Sequence, residues 1–176
     1  MNRQLLLEII PAPEPTLSTT VIGENGAAID AAQGLQAGRA LYFWGPPGSG
    51  RSHMLRALAQ KTPTIYLNSS SQAEATSTEP MGHKLVAIDD IQDMSEDQQA
   101  CVFALYNRWR ACATTESAFA LAVTGDRAPI MMPLREDLRT RLGWDLVFRL
   151  VPLSDTEKFA ALTSYAQGQG LPLSTE

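Results

Sequence analysis

Positive charge is scarce in this chain, and nearly all of it is arginine. Over 176 residues, 14 basic side chains face 19 acidic ones, for a net charge of −5, and eleven of the basic residues are arginines. That balance excludes a broad nucleic-acid-binding face, which needs clustered Lys and Arg to neutralise phosphates, so no strong direct DNA binding is expected. An arginine-rich set favours directed, two-pronged contacts over diffuse attraction. Cysteine is as sparse: Cys101 and Cys112 fall in one expected helix. Two such residues make neither a disulfide framework nor a thiolate metal centre and are expected as buried thiols in a reducing cytoplasm. The two histidines, His53 and His83, have no partners at metal-ligand spacing and are read as satisfied or solvated. No run is long and apolar enough to span a bilayer, and the N-terminus lacks a basic stretch followed by an apolar one. A soluble cytoplasmic protein with no membrane partner is the expectation. There are no internal repeats.

Apolar residues, by contrast, make up 44% of the chain, enough for a buried core in one domain. Pro11, Pro13 and Pro15 interrupt residues 1–16, which read as an arm ahead of the folded unit. Alternating elements follow. Residues 25–37 suit a first helix, 41–44 a buried strand, 52–61 a helix, 64–67 a strand and 68–80 a polar loop. A strand at 84–88 precedes the capping box Ser95-Glu96-Asp97-Gln98, which opens a helix to about 113 with the stripe Val102, Leu105, Tyr106, Trp109, Cys112. Then come a strand at 119–123, a short helix at 134–142, a strand at 146–150, and a second capping box, Ser154-Asp155-Thr156-Glu157, opening a helix to about 168. Strands alternating with helices, several of them continuously apolar, imply an α/β fold: a five-stranded parallel sheet with helices on both faces.

The string most charged with chemistry is Gly45-Pro46-Pro47-Gly48-Ser49-Gly50-Arg51-Ser52, placed between the first strand and its helix. It is a phosphate-binding loop with arginine where lysine is usual. Glycines let backbone N–H groups turn inward as an anion nest, and the following helix aims its positive end at the phosphates. Ser52 offers a hydroxyl to Mg2+. A second element fits the first: Leu85-Val86-Ala87-Ile88-Asp89-Asp90 is an apolar strand delivering two carboxylates at its C-terminal end, where open α/β sheets bind ligands. Asp89 suits the metal, with Ser52, and Asp90 the orientation or activation of water. Thr124 closes the fourth strand and can touch a phosphate or that water.

Several short strings together resemble one family. Ile88-Asp89-Asp90-Ile91-Gln92, Val123-Thr124-Gly125-Asp126-Arg127-Ala128-Pro129, Leu138-Arg139-Thr140-Arg141-Leu142-Gly143-Trp144 and Tyr106-Asn107-Arg108 are similar to the AAA+ module of DnaA, the bacterial replication initiator, and most of all to the DnaA-related Hda family. Ser52-His53-Met54-Leu55 after the phosphate loop fits the same module. The likeness covers about residues 17–170. It implies an RecA-like AAA+ core over 17–152 and the start of a helical lid over 153–176, truncated relative to the family. It assigns Gly45, Pro46, Pro47, Gly48, Ser49, Gly50, Arg51, Ser52 and His53 to the nucleotide, ADP or ATP. Thr124 becomes the sensor at the strand tip. Arg141 becomes an arginine finger offered to a neighbouring subunit's nucleotide.

In the same light Gln4, Leu5, Leu7 and Ile9 of the arm resemble the peptide by which Hda-family proteins dock on the DNA polymerase sliding clamp, its beta subunit. An extended peptide of that kind can anchor in an apolar groove. The implied function is regulatory inactivation of DnaA: the chain, bound to nucleotide and clamp, stimulates ATP hydrolysis by DnaA. DnaA, the clamp and a homo-oligomer are thus the implied partners. Two alternatives stay open: an AAA+ ATPase of helicase-loader or clamp-loader type, and a DnaA-like adaptor without catalytic role. Arg51 keeps the lysine's charge but is bulkier and forked, which argues for binding with slow hydrolysis.

Overall fold

The computed structural model describes residues 14–71 and 82–168. The clamp-like segment with Gln4, Leu5, Leu7 and Ile9, most of the polar loop, and the last residues of the expected lid lie outside the described residues. Five apolar runs form parallel strands: β1 (Ala40–Trp44), β2 (Thr64–Leu67), β3 (Leu85–Ile88), β4 (Ala120–Gly125) and β5 (Leu146–Arg149). They lie side by side in the order β2-β3-β4-β1-β5, all pairs parallel. The helices are α1 (Gly26–Gln33), α2 (Arg51–Ala59), α3 (Glu96–Cys112), α4 (Glu136–Leu142) and α5 (Asp155–Gly168). Among the described residues no helix is long and apolar enough to cross a membrane.

Successive side chains of a strand point to opposite faces, so each central strand feeds two cores. Tyr42, Val86, Ile88, Leu121 and Val123 pack under Val102, Leu105, Tyr106 and Trp109 of α3 and Leu138 and Leu142 of α4. Leu41, Phe43, Leu85, Ala87, Ala120 and Ala122 face α1 and α2, meeting Ile29, Met54, Leu55 and Leu58. The three alanines on this second face are short, so α2 lies close over β3 and β4. That proximity sets the first turn of α2 beside the ends of those strands.

Both expected capping boxes form. Ser95 accepts from the Gln98 N–H while the Gln98 side chain accepts from the Ser95 N–H. Ser154 and Glu157 make the same exchange at the start of α5. One expectation needs correction. Cys101 and Cys112 are half-buried, not buried: Cys101 is off the buried stripe of α3, and Cys112 lies beyond its last member, Trp109. β5 is an edge of the sheet, and its Leu146 and Val147 are each 37% exposed.

The start of β1 is tied to the turn before β5. Asp145 accepts two bonds from Arg39, at 2.7 and 2.6 Å, and one from the Ala40 N–H at 2.8 Å. The Arg39 bond, chiefly, holds the Asp145 carboxyl below the usual 3.8 against the opposing effect of burial. A carboxyl depressed in the folded chain contributes stability above its unfolded value, and that contribution is lost as pH falls through the folded value. Asp145→Asn is therefore expected to melt below the wild type at pH 7. Thermal melts taken stepwise into acid should show that gap narrowing below about pH 4; a gap constant with pH would remove the carboxylate from the account.

Candidate nucleotide-binding site

Register sets the site. Phe43 lies opposite Thr124 and Trp44 opposite Gly125, while Ile88 lies opposite Val123. The strands β1, β4 and β3 therefore end together, and Gly45, Thr124 and Asp89 emerge on one rim of the sheet. Gly45 is pressed so closely against the Leu150 carbonyl and Ser49 that a Cβ would have no room. Gly48 and Gly50 take the left-handed backbone, at φ +80° and +89°, with open space where a Cβ would project. Met54 makes the first helical bond of α2, to the Gly50 carbonyl at 2.8 Å. The N–H groups ahead of it have no intrahelical acceptor, as at any helix start, and face the loop.

The strand tips carry a web of bonds centred on Asp89, which is buried. Its Oδ1 accepts from Ser52 Oγ at 3.0 Å and from Thr124 Oγ1 at 2.7 Å. Its Oδ2 accepts from the Tyr66 hydroxyl at 2.6 Å. Thr124, fully buried, also accepts from the Asp90 N–H at 2.8 Å, so its hydroxyl hydrogen is committed to Asp89. Asp90 has φ +47°, the one non-glycine in the left-handed region among the described residues. Its Oδ1 pairs with Arg51 Nη2 at 2.9 Å and accepts from Gln92 Nε2 at 3.1 Å. Arg51 also donates to the Gly45 carbonyl at 2.8 Å. The Arg51 side chain is only 11% exposed, against 34% for Asp90. The loop cation thus lies across the loop on the second acid.

Beside the loop opens a cleft of about 400 Å³. One wall is Gly48, Ser49, Gly50, His53 and Met54; the other is Thr19, Thr20, Val21, Asn25 and Ile29; Leu150, Leu153, Ala161 and Leu162 close the end. Asn25 ties this closure together, donating to the Val151 carbonyl at 2.9 Å and accepting from its N–H at 2.8 Å. Partial burial, then the Arg56 charge, lower the His53 pKa. Burial, then the bond to Asp89, raise that of Tyr66.

These residues fit a nucleotide. The buried Ser49 Oγ has no hydrogen-bond partner, and the open glycines leave the backbone accessible to an anion. The cleft has the size and apolar lining of a small-ligand site. A hydroxyl and a carboxylate, Ser52 and Asp89, already in contact, are hard oxygen donors suited to magnesium.

Arg141 stands elsewhere. It is on α4, whose buried residues join the core opposite α2. Its Nε and Nη2 donate to Asn107 Oδ1 at 3.2 and 2.9 Å, and Nη1 to the Asp137 carbonyl at 2.7 Å. The guanidinium lies over Phe103 at 3.8 Å and Trp144 at 4.9 Å. Reasoning from sequence missed Tyr66, the role of Gln92 and the far wall of the cleft. Tyr66 and Gln92 each sit at or just beyond a strand end feeding the rim, the available signal. Nothing in residues 19–29 marks them as a cleft wall.

No family model matches the chain. Among solved structures, it is similar to a DNA replication initiation factor, at 20% identity and TM-score 0.72 over 93% of this chain. Domain III of DnaA from Thermotoga maritima matches at 19% identity and TM-score 0.71, again over 93%. AMPPCP-bound DnaA from Aquifex aeolicus matches at 19% and 0.68 over 91%. The chain spans 57%, 79% and 57% of those three chains in turn. At such identities the likeness is one of fold. What the chain shares with them is the fold: a five-stranded parallel sheet, here in the order β2-β3-β4-β1-β5, flanked by helices.

Proposed function

We propose that this chain is a cytoplasmic, adenine-nucleotide-binding regulator of replication initiation that raises the rate at which DnaA hydrolyses its own ATP. The observation that carries the reading is the ion pair between Arg51 and Asp90. The phosphate loop is built to bind, but the acid that would orient water is already bonded to the loop's own cation and to Gln92. Such a site suits holding a nucleotide more than turning it over, and this weighs against an ATPase of loader type. The catalytic contribution then falls to Arg141, a planar fork suited to developing charge on a phosphoryl group, presented on a different face from the chain's own loop.

Within the site, Gly48, Gly50 and the first N–H groups of α2 would hold the phosphates, with Ser52 and Asp89 for magnesium. Val21, Ile29 and Leu162 would exclude water from the base. Bound adenine nucleotide, which the AMPPCP-bound neighbour supports, would supply an anion that joins the loop to the lid helix α5. Gln4, Leu5, Leu7 and Ile9 would dock on the sliding clamp. A second reading, an adaptor without catalytic role, is favoured by one observation: the Arg141 guanidinium is already engaged by Asn107, Asp137, Phe103 and Trp144.

Two measurements decide. ADP at a hundred times its Kd should add about 2.7 kcal/mol of stability, raising the melting temperature by about 5–10 °C for a chain of this size. Hydrolysis of DnaA-bound ATP should quicken when the chain is added with clamp loaded on DNA. A thermal shift without stimulation selects the adaptor; neither response removes the nucleotide reading altogether.

A further inference from the structure

Asp89 is bonded on both oxygens, and the Tyr66 bond is the one that neither the phosphate loop nor the strand tip provides. Tyr66 comes from β2, the outer neighbour of β3, whose Leu67 carbonyl also accepts the Asp89 N–H at 2.8 Å. The Tyr66 hydroxyl donates its hydrogen to Asp89 Oδ2, at 2.6 Å. That leaves Asp89 Oδ1 turned to Ser52.

We propose that Tyr66 is a positioning residue for the magnesium site: its hydroxyl pins Asp89 Oδ2 and so presents Oδ1 beside Ser52 to the cation. The proposal rests on the nucleotide reading of the loop. A carboxylate free to swing must be ordered each time a cation binds, and groups that orient metal-binding side chains are worth about 10- to 100-fold in metal affinity.

The test is calorimetric titration of the full chain with ADP, first in EDTA and then across a series of magnesium chloride concentrations. Tyr66→Phe is expected to raise the magnesium midpoint about 10-fold while ADP affinity in EDTA stays within about twofold. A merely structural role would move both together. Tyr66→Met, which also removes the hydroxyl, should raise the midpoint too, and it decides the matter should Tyr66→Phe fail to fold. Midpoints unchanged in the variants overturn the proposal and leave the nucleotide reading standing, as does wild-type ADP binding that ignores magnesium. A wild type that binds no ADP under either condition overturns both.

Discussion

Arg141→Ala is expected to abolish the proposed stimulation of ATP hydrolysis by DnaA, since an arginine supplied in trans is worth about 10³- to 10⁵-fold in such reactions. The arrangement around Arg141 explains why the loss should be large. Asn107 and the Asp137 carbonyl fix the plane of the guanidinium, and Phe103 and Trp144 flank it. A long side chain so held has already lost most of its rotamer freedom, so little is left to order when it meets a partner. Arg141→Lys keeps the charge but not the fork and should fail almost as badly. Asn107→Ala removes one support and should weaken stimulation far less. The measurement is hydrolysis of DnaA-bound ATP with clamp loaded on DNA, alongside clamp binding and a melting curve for each variant. If Arg141→Ala still stimulates within about twofold of wild type, the finger assignment is wrong and the adaptor reading takes its place.

Thr124→Val is expected to be the most damaging near-isosteric change in the site. Thr124 is fully buried. It donates to the Asp89 carboxylate and accepts from the Asp90 N–H. Valine keeps the volume but strips a charged acceptor of one donor and orphans a buried N–H. A hydrogen bond to a charged group and a buried unsatisfied donor each cost about 1–3 kcal/mol. A loss of about 3 kcal/mol corresponds to about 6–12 °C in melting temperature. The orphaned N–H belongs to Asp90, whose left-handed backbone at φ +47° is itself costly for a non-glycine and leans on this bond. Thr124→Ser keeps the hydroxyl and should recover most of the loss. Urea unfolding of the three proteins gives the comparison. A Thr124→Val loss under about 1 kcal/mol would mean that Ser52 and Tyr66 suffice for Asp89.

Elements and loop chemistry were legible along the chain because they depend on near neighbours. The apolar runs at 41–44 and 85–88 lie within strands, and the two S-x-x-Q/E boxes cap their helices, since a cap needs only residues three apart. The glycines of residues 45–50 take the turns that their lack of Cβ allows. Boundaries moved where tertiary contacts intervened. The first helix stops at Gln33, because the chain must reverse through Gly38, whose N–H bonds the Phe119 carbonyl. The burial of the two cysteines was misjudged. Composition reports that a side chain is apolar, not whether it lies on the buried stripe of its helix.

By itself the sequence determined that this chain has an α/β core with a phosphate loop after its first strand and two carboxylates after its third. These are matters of spacing, and spacing is written in the chain. What the side chains do to one another was decided by strand order. Placing β4 between β1 and β3 brings Thr124 to Asp89 across 35 positions, and Ser52 to Asp89 across 37. The same packing lets Arg51 lie on Asp90 and turns Tyr66 from an ordinary strand aromatic into the partner of a carboxylate. Hydrogen bonds and ion pairs act over about 3 Å, so residues far apart in sequence acquire these roles only when the sheet closes and brings their strand ends to one rim.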